Sequence, residues 1–208
     1  MCGVAGFLGA GGDNQRQEQR IGAMIEVLAH RGPDARGSWC SSDGSASLGH
    51  TRLAIQDISD LGAQPMESHS GRFVICYNGE VYNFPDIAAE LRKLGHAFRG
   101  HSDTEVMLAA IEEWGVDRAL QRFIGMFAFA LWDRKREELY LVRDRLGIKP
   151  LYYRETGDGL VFASELKAIE AFDKGGAELD RRSIALFLRH SCVPAPCTIF
   201  ARTWKLLP

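Results

Sequence analysis

The 208-residue sequence contains no apolar run close to the roughly 18 residues that a bilayer span requires, and its N-terminus lacks a basic segment followed by an apolar stretch. Neither a membrane helix nor a secretory leader is expected, and the chain reads as cytoplasmic. Net charge is scarce too: 25 Lys and Arg against 27 Asp and Glu leave −2. That balance gives no electrostatic footprint for nucleic acid or an anionic membrane surface. The five cysteines, Cys2, Cys40, Cys76, Cys192 and Cys197, are odd in number and lack framework spacing, which fits a reducing compartment better than a disulfide scaffold. Cys192 and Cys197, with His190 nearby, match no standard zinc spacing and lack a fourth ligand, so no metal site is predicted. Internal repeats and low-complexity tracts are also missing. With 46% hydrophobic and 25% charged residues, the chain has ordinary globular composition, and its expected partner is a small molecule or another protein.

What is present begins at the second residue. Removal of Met1, common when the next residue is small, leaves Cys2 with a thiol and a free α-amine on one residue. The thiolate is the attacking form, and a free cysteine with pKa near ~8.5 is mostly protonated at neutral pH. An α-amine titrates at about 7.7 to 8.0, so it can take the thiol proton and later return it to a leaving amine. The plainer alternative makes Cys2 a small buried hydrophobe at the start of a strand.

Val4 to Leu8 reads as a buried strand, closed by the flexible Gly9-Ala10-Gly11-Gly12. Ile21, Met24, Ile25 and Leu28 have helical spacing, predicting a helix over 15–29 that ends at the polar turn His30-Arg31-Gly32-Pro33-Asp34. Short strands are predicted from Gly37 to Asp57, broken at Asp43-Gly44, with Arg52 opposite the face buried by Leu53 and Ile55. Phe73 to Tyr77 is a further strand, and the Asn78-Gly79 pair after it is by itself a hairpin-turn signal. Helices follow over 85–94, from the capping box Ser102-Asp103-Thr104-Glu105 to Trp114, and over 116–123. Asp103 in a first helical turn needs no function to be favourable there. Strands are predicted over 126–132, 138–143, 150–154 and 160–163, with turns at 133–137 and 157–159, and Ser164 is expected to cap a helix through Ile169. Strands, then helices, then strands joined by hairpin-length connections predict an antiparallel α+β fold. After Phe172 the Lys174-Gly175-Gly176 stretch is linker-like, a helix is predicted over about 180–189, and a proline-punctuated tail runs to Pro208.

Taken in order, Met1-Cys2-Gly3, His30-Arg31-Gly32-Pro33-Asp34, Arg52-Leu53-Ala54-Ile55, Asn78-Gly79-Glu80-Val81-Tyr82-Asn83 and Ser102-Asp103-Thr104-Glu105 resemble the glutaminase domain of the asparagine synthetases. Gly125-Met126-Phe127-Ala128-Phe129-Ala130, the run Arg143-Asp144-Arg145-Leu146-Gly147-Ile148-Lys149-Pro150-Leu151-Tyr152-Tyr153 and Phe162-Ala163-Ser164-Glu165-Leu166-Lys167-Ala168-Ile169 continue the likeness, which spans residues 1–170. The resemblance is to a class II glutamine amidotransferase. It implies a four-layer αββα sandwich of two antiparallel sheets, the amino-terminal-nucleophile hydrolase fold, and hydrolysis of L-glutamine to glutamate and ammonia. It also implies roles. Cys2 would attack the δ-carbonyl to form a γ-glutamyl thioester, with the Asn78 amide and the Gly79 N–H as oxyanion donors. Arg52 would fork onto the α-carboxylate. Asp103, with the Glu80 main-chain carbonyl, would receive the α-ammonium, and backbone groups of Ile55 and Gln56 would line the pocket. His30 is expected to be structural.

By the same resemblance, residues 1–172 form the glutaminase domain and 173–208 a connector into an ATP-dependent synthetase domain whose Ser-Gly-Gly-x-Asp-Ser loop is not in this sequence. ATP and Mg would belong to that domain, and the glutaminase needs no cofactor or metal. These residues alone are expected to carry the glutaminase half-reaction only. The implied partner is the synthetase domain, with homodimerisation common in the family and no nucleic acid or membrane. Three alternatives stay open: an acceptor from a related branch, such as phosphoribosyl-pyrophosphate or glucosamine-phosphate synthesis, another carboxylate in a biosynthetic cluster, or a non-catalytic glutamine-binding module.

Overall fold

The computed structural model describes residues 1–9, 14–157, 159–173 and 176–208. Alternation of large and small apolar residues decides the layering. In β5 (Phe73–Val81) and β6 (Gly125–Asp133), Ile75, Tyr77, Phe127, Phe129 and Leu131 face one way, and Val74, Cys76, Ala128, Ala130 and Trp132 the other. The first set packs against α2 (Phe84–Lys93), α3 (Asp103–Trp114) and α4 (Val116–Arg122). The second packs on Val4, Leu48 and Phe162 of a second sheet, giving the inter-sheet core. On that second sheet's outer face, Ala5, Phe7 and Val161 meet Ile21, Met24 and Leu28 around α1 (Asn14–Glu26) and Ile169 and Phe172 of α5 (Leu166–Phe172). Each fully buried large side chain contributes about 1.5–3 kcal/mol, so three contiguous apolar layers hold four layers of secondary structure together.

The larger sheet is six-stranded and antiparallel. Its order is β10 (Thr203–Lys205), β8 (Tyr152–Thr156), β9 (Gly159–Ala163), β1 (Gly3–Leu8), β3 (Ala46–Arg52) and β2 (Ala35–Cys40). The smaller runs β4 (Met66–Glu67), β5, β6 and β7 (Glu138–Arg143). The four-layer αββα sandwich implied by the resemblance is the fold observed. β1 lies inside the larger sheet, paired with β3 from Gly3↔Thr51 and with β9 from Ala5↔Ala163, so residue 2 is anchored from both sides. Arg181–His190 forms α6 behind an Asp180 N-cap, and β10 in the tail pairs with β8, with Leu206 N donating to Leu151 O at 2.8 Å.

Four local expectations are corrected. The Asn78-Gly79 pair is no turn: β5 runs straight through it, with Asn78 opposite Ala128 and Gly79 opposite Phe127, because pairing with β6 outweighs the local signal. The strand carrying Arg52 ends there, so Ile55 is 75% exposed while the Arg52 side chain is the buried one. Ser164 does not cap α5; its hydroxyl accepts from Val4 N at 3.0 Å, and the cap position is Glu165. Ser102 accepts from Glu105 N at 3.3 Å as a cap should, but the Glu105 carboxylate turns back to Arg99 N and Gly100 N, both at 2.9 Å, so the capping box is half-formed. The loop after Leu8, the turn at 157–159 and Lys174-Gly175-Gly176 lie wholly or partly outside the described residues.

Candidate active site

Cys2 stands just before β1, half-buried, with its Sγ 3.4 Å from Leu53 N and 3.7 Å from Leu53 O. Its own carbonyl accepts from Arg31 Nε at 2.9 Å, and Arg31 Nη1 donates to Glu165 at 2.8 Å. Burial pushes the Glu165 carboxyl up, but hydrogen bonds from Arg31, His30 and Lys167 outweigh it and hold the group at about 2. His30 itself bonds Glu165 at 3.0 Å and lies outside the cleft, in keeping with a structural role.

All eight residues singled out from the sequence, Cys2, Arg52, Ile55, Gln56, Asn78, Gly79, Glu80 and Asp103, line one cleft of about 300 Å³. A second cavity of about 230 Å³, bounded by Met66, Phe98 and Leu108, contains none of them. Within the cleft, Asn78 is buried and its Nδ2 has no hydrogen-bond partner among the described residues. A buried donor left unpaired costs about 1–3 kcal/mol, so this amide is poised to donate to an incoming acceptor. At Gly79, a Cβ would fall against the Met126 carbonyl oxygen and 2.6 Å from Phe127 Cα. Only glycine lets β5 and β6 approach this closely there.

The charged ends of the cleft are built differently. Arg52 donates from Nη1 to Ser59 O at 2.9 Å and from Nη2 to Asp57 O, leaving other N–H groups of its five for a ligand. Asp103 is buried, and burial raises its carboxyl above the usual range. Its Oδ2 accepts from the Tyr77 hydroxyl at 2.6 Å and from Val81 N at 2.9 Å. Thr104 also meets this carboxylate, its hydroxyl 3.5 Å from Oδ1, and a carboxylate with about four acceptor sites has room left for an ammonium. Glu80 Oε1 accepts from Gln56 Nε2 at 3.1 Å, joining two of the lining residues.

Further residues in and behind the cleft are given no role by the sequence. Gln64 accepts from Tyr77 N at 2.6 Å, and His50 Nε2 donates to Tyr77 O at 3.0 Å, so two side chains satisfy the edge of β5 where β4 stops. Burial pushes His50 down to about 4, keeping it neutral. Lys149 also lines the cleft, its Nζ 3.5 Å from Met1 Sδ, in a loop whose N–H groups at Leu146, Ile148 and Lys149 converge on Asp144. Their elements lie far apart in sequence, and only the folded sheet brings them together. Among the described residues no group of three or more metal-ligating side chains is gathered, and no helix is long and apolar enough to cross a membrane.

A family model for the glutamine amidotransferase domain matches residues 1–208. The chain belongs to the glutamine amidotransferase domain family. This amidotransferase domain is 41% identical over 187 residues to asparagine synthetase [glutamine-hydrolyzing] 3 of Bacillus subtilis, covering 89% of this chain and 30% of that protein. It is 34% identical over 224 residues to the putative asparagine synthetase [glutamine-hydrolyzing] 2 of Methanocaldococcus jannaschii, covering 99% and 42%. Amidase chry2 of Gibberella zeae is 36% identical over 181 residues, covering 83% and 27%. The chain thus spans about a third of the length of the first curated relatives it matches. Among solved structures, the glutamine phosphoribosylpyrophosphate amidotransferase of B. subtilis complexed with ADP and GMP superposes with a TM-score of 0.69 at 23% identity, over 83% of this chain and 44% of that one. At that identity the likeness speaks for the fold, and it agrees with the αββα sandwich.

Proposed function

We propose that the cleft hydrolyses the side-chain amide of L-glutamine through a γ-glutamyl thioester on Cys2. With Met1 removed, the Cys2 α-amine takes the thiol proton and the thiolate adds to the δ-carbonyl carbon. The resulting oxyanion accepts hydrogen bonds from Asn78 Nδ2 and the Gly79 N–H, and the Cys2 ammonium protonates the departing ammonia. Water, deprotonated by the same amine, then releases glutamate and restores the thiol. Arg52 holds the α-carboxylate, while Asp103 and the Glu80 main-chain carbonyl hold the α-ammonium; Ile55 and Gln56 form the wall beside them.

The observation that carries this reading is the buried, unpartnered Asn78 amide in the cleft that Cys2 lines, with a buried arginine and a buried carboxylate for the two charges of an amino acid. A chloroketone analogue of glutamine tests it: the Cys2 thiolate displaces chloride to form a thioether. Alkylation confined to the Cys2 peptide and blocked by glutamine is expected. Labelling that glutamine does not slow refutes a glutamine pocket.

The released ammonia is passed to an ATP- and Mg-dependent synthetase domain of the same cytoplasmic protein, which amidates aspartate. Residues 173–208 lead toward that domain. The support is the identity with the asparagine synthetases of Bacillus and Methanocaldococcus and the share of their length that this chain spans. The likeness to the Gibberella amidase supports the amide-hydrolysing half-reaction alone.

A further inference from the structure

Asp57 carries no motif in the sequence, yet its carboxylate accepts three hydrogen bonds. Oδ1 accepts from Ser59 N at 2.9 Å and Ser59 Oγ at 2.6 Å, and Oδ2 accepts from His101 N at 3.0 Å. The His101 and Ser59 hydrogen bonds hold it ionised, with its pKa down at about 2. The residues it ties together have separate tasks. The Asp57 and Ser59 carbonyls are the two acceptors that fix the Arg52 guanidinium, packed so closely that a Cβ at Gly62 would strike Arg52 Nη2. His101 directly precedes Ser102, the N-cap of α3, and Asp103, its first residue.

We infer that Asp57 is the positioning residue that sets the distance between the two charged ends of the pocket, and thereby its selectivity for an α-amino acid amide. One carboxylate closes the turn that presents carbonyls to Arg52 and also pins the segment that presents Asp103. Asp57 lines the cleft, and with three donors already on its carboxylate it acts through these neighbours. The inference rests on the glutaminase reading of the cleft.

The test is Asp57→Asn. The amide has one acceptor oxygen and sets its NH2 against the donors on the other side, so it cannot accept from both Ser59 and His101 N, and the tie between the two segments is lost. Glutamine KM is expected to rise about tenfold with kcat changed much less, the pattern of lost ground-state binding. Alkylation of Cys2 by iodoacetamide, which has neither an α-carboxylate nor an α-ammonium, is followed on the Cys2 peptide and stays within about twofold of native. Equal losses in both assays mean a general structural role and overturn the inference, as does an unchanged KM. If Asp57→Asn does not fold, Ser59→Ala removes one of the three donors and decides the matter by the same split, at about threefold in KM. Native protein that fails to release glutamate overturns the glutaminase reading itself, and the inference with it.

Discussion

At Asn78, activity and stability are expected to respond to substitution in opposite directions. Its Nδ2 is buried without a partner among the described residues, so the folded protein carries a desolvated donor that water satisfied in the unfolded chain. That donor acquires its partner only when negative charge develops on the substrate oxygen. Loss of one oxyanion donor typically raises the barrier by about 2.7 to 4 kcal/mol, or a factor of about 10² to 10³ in kcat. Asn78→Ala is therefore expected to reduce glutamate release by about that factor, with the Gly79 N–H supporting the remainder. Stability should move the other way. Asn78→Leu replaces the amide by an apolar group of similar shape, removing a penalty of about 1–3 kcal/mol, so urea unfolding is expected to show equal or higher stability. Steady-state glutamate release and denaturant titration measure the two effects. An Asn78→Ala enzyme within tenfold of native, or an Asn78→Leu protein destabilised by more than about 3 kcal/mol, refutes the assignment.

Arg52→Lys keeps a positive charge but cannot reproduce the fork that spans the Ser59 and Asp57 carbonyls and a substrate carboxylate; glutamine KM is expected to rise at least about tenfold, and an unchanged KM contradicts the role. Gly79→Ala places a methyl against Met126 O, which is backbone and cannot swing aside, so denaturant unfolding should show a loss of about 3 kcal/mol together with loss of glutaminase activity. Glu165, held at about 2 against an ordinary 4.5, contributes stability that is fully present above pH 4.5 and is lost as pH falls toward 2. Unfolding free energies across that window should therefore flatten in Glu165→Gln relative to native, and superimposable pH curves would sink the claim.

The sequence carried the layers and most of the site because both rest on signals that survive locally. The apolar runs Phe73 to Tyr77 and Met126 to Trp132 read as strands and the element order as an antiparallel α+β fold, while the four-layer sandwich came from the family resemblance. Cys2, Arg52, Asn78, Gly79 and Asp103 stand out because their side-chain chemistry and the motifs around them are properties of the chain itself. The misread elements share one cause, a local preference outweighed by a distant partner. Asn78-Gly79 has the local signature of a turn, but nine register pairs with β6 keep it extended. Ser164 has the signature of a cap, but Val4 N, far away in sequence, takes its hydroxyl. Arg52 looks like a solvated side chain on an alternating strand until the turn over 57–62 folds back on it. Asp57, Gln64 and His50 were silent for the same reason: each acts through groups that only the folded chain brings near.

The mechanism stands or falls on Cys2 as an amino-terminal nucleophile. The most direct measurement is intact mass together with glutamate release from glutamine, for the native chain and for Cys2→Ala. The mechanism predicts a native protein lacking Met1 that releases glutamate, and a folded variant that does not. Processed, folded native protein that binds glutamine without hydrolysing it, or a Cys2→Ala variant as active as native, would contradict it.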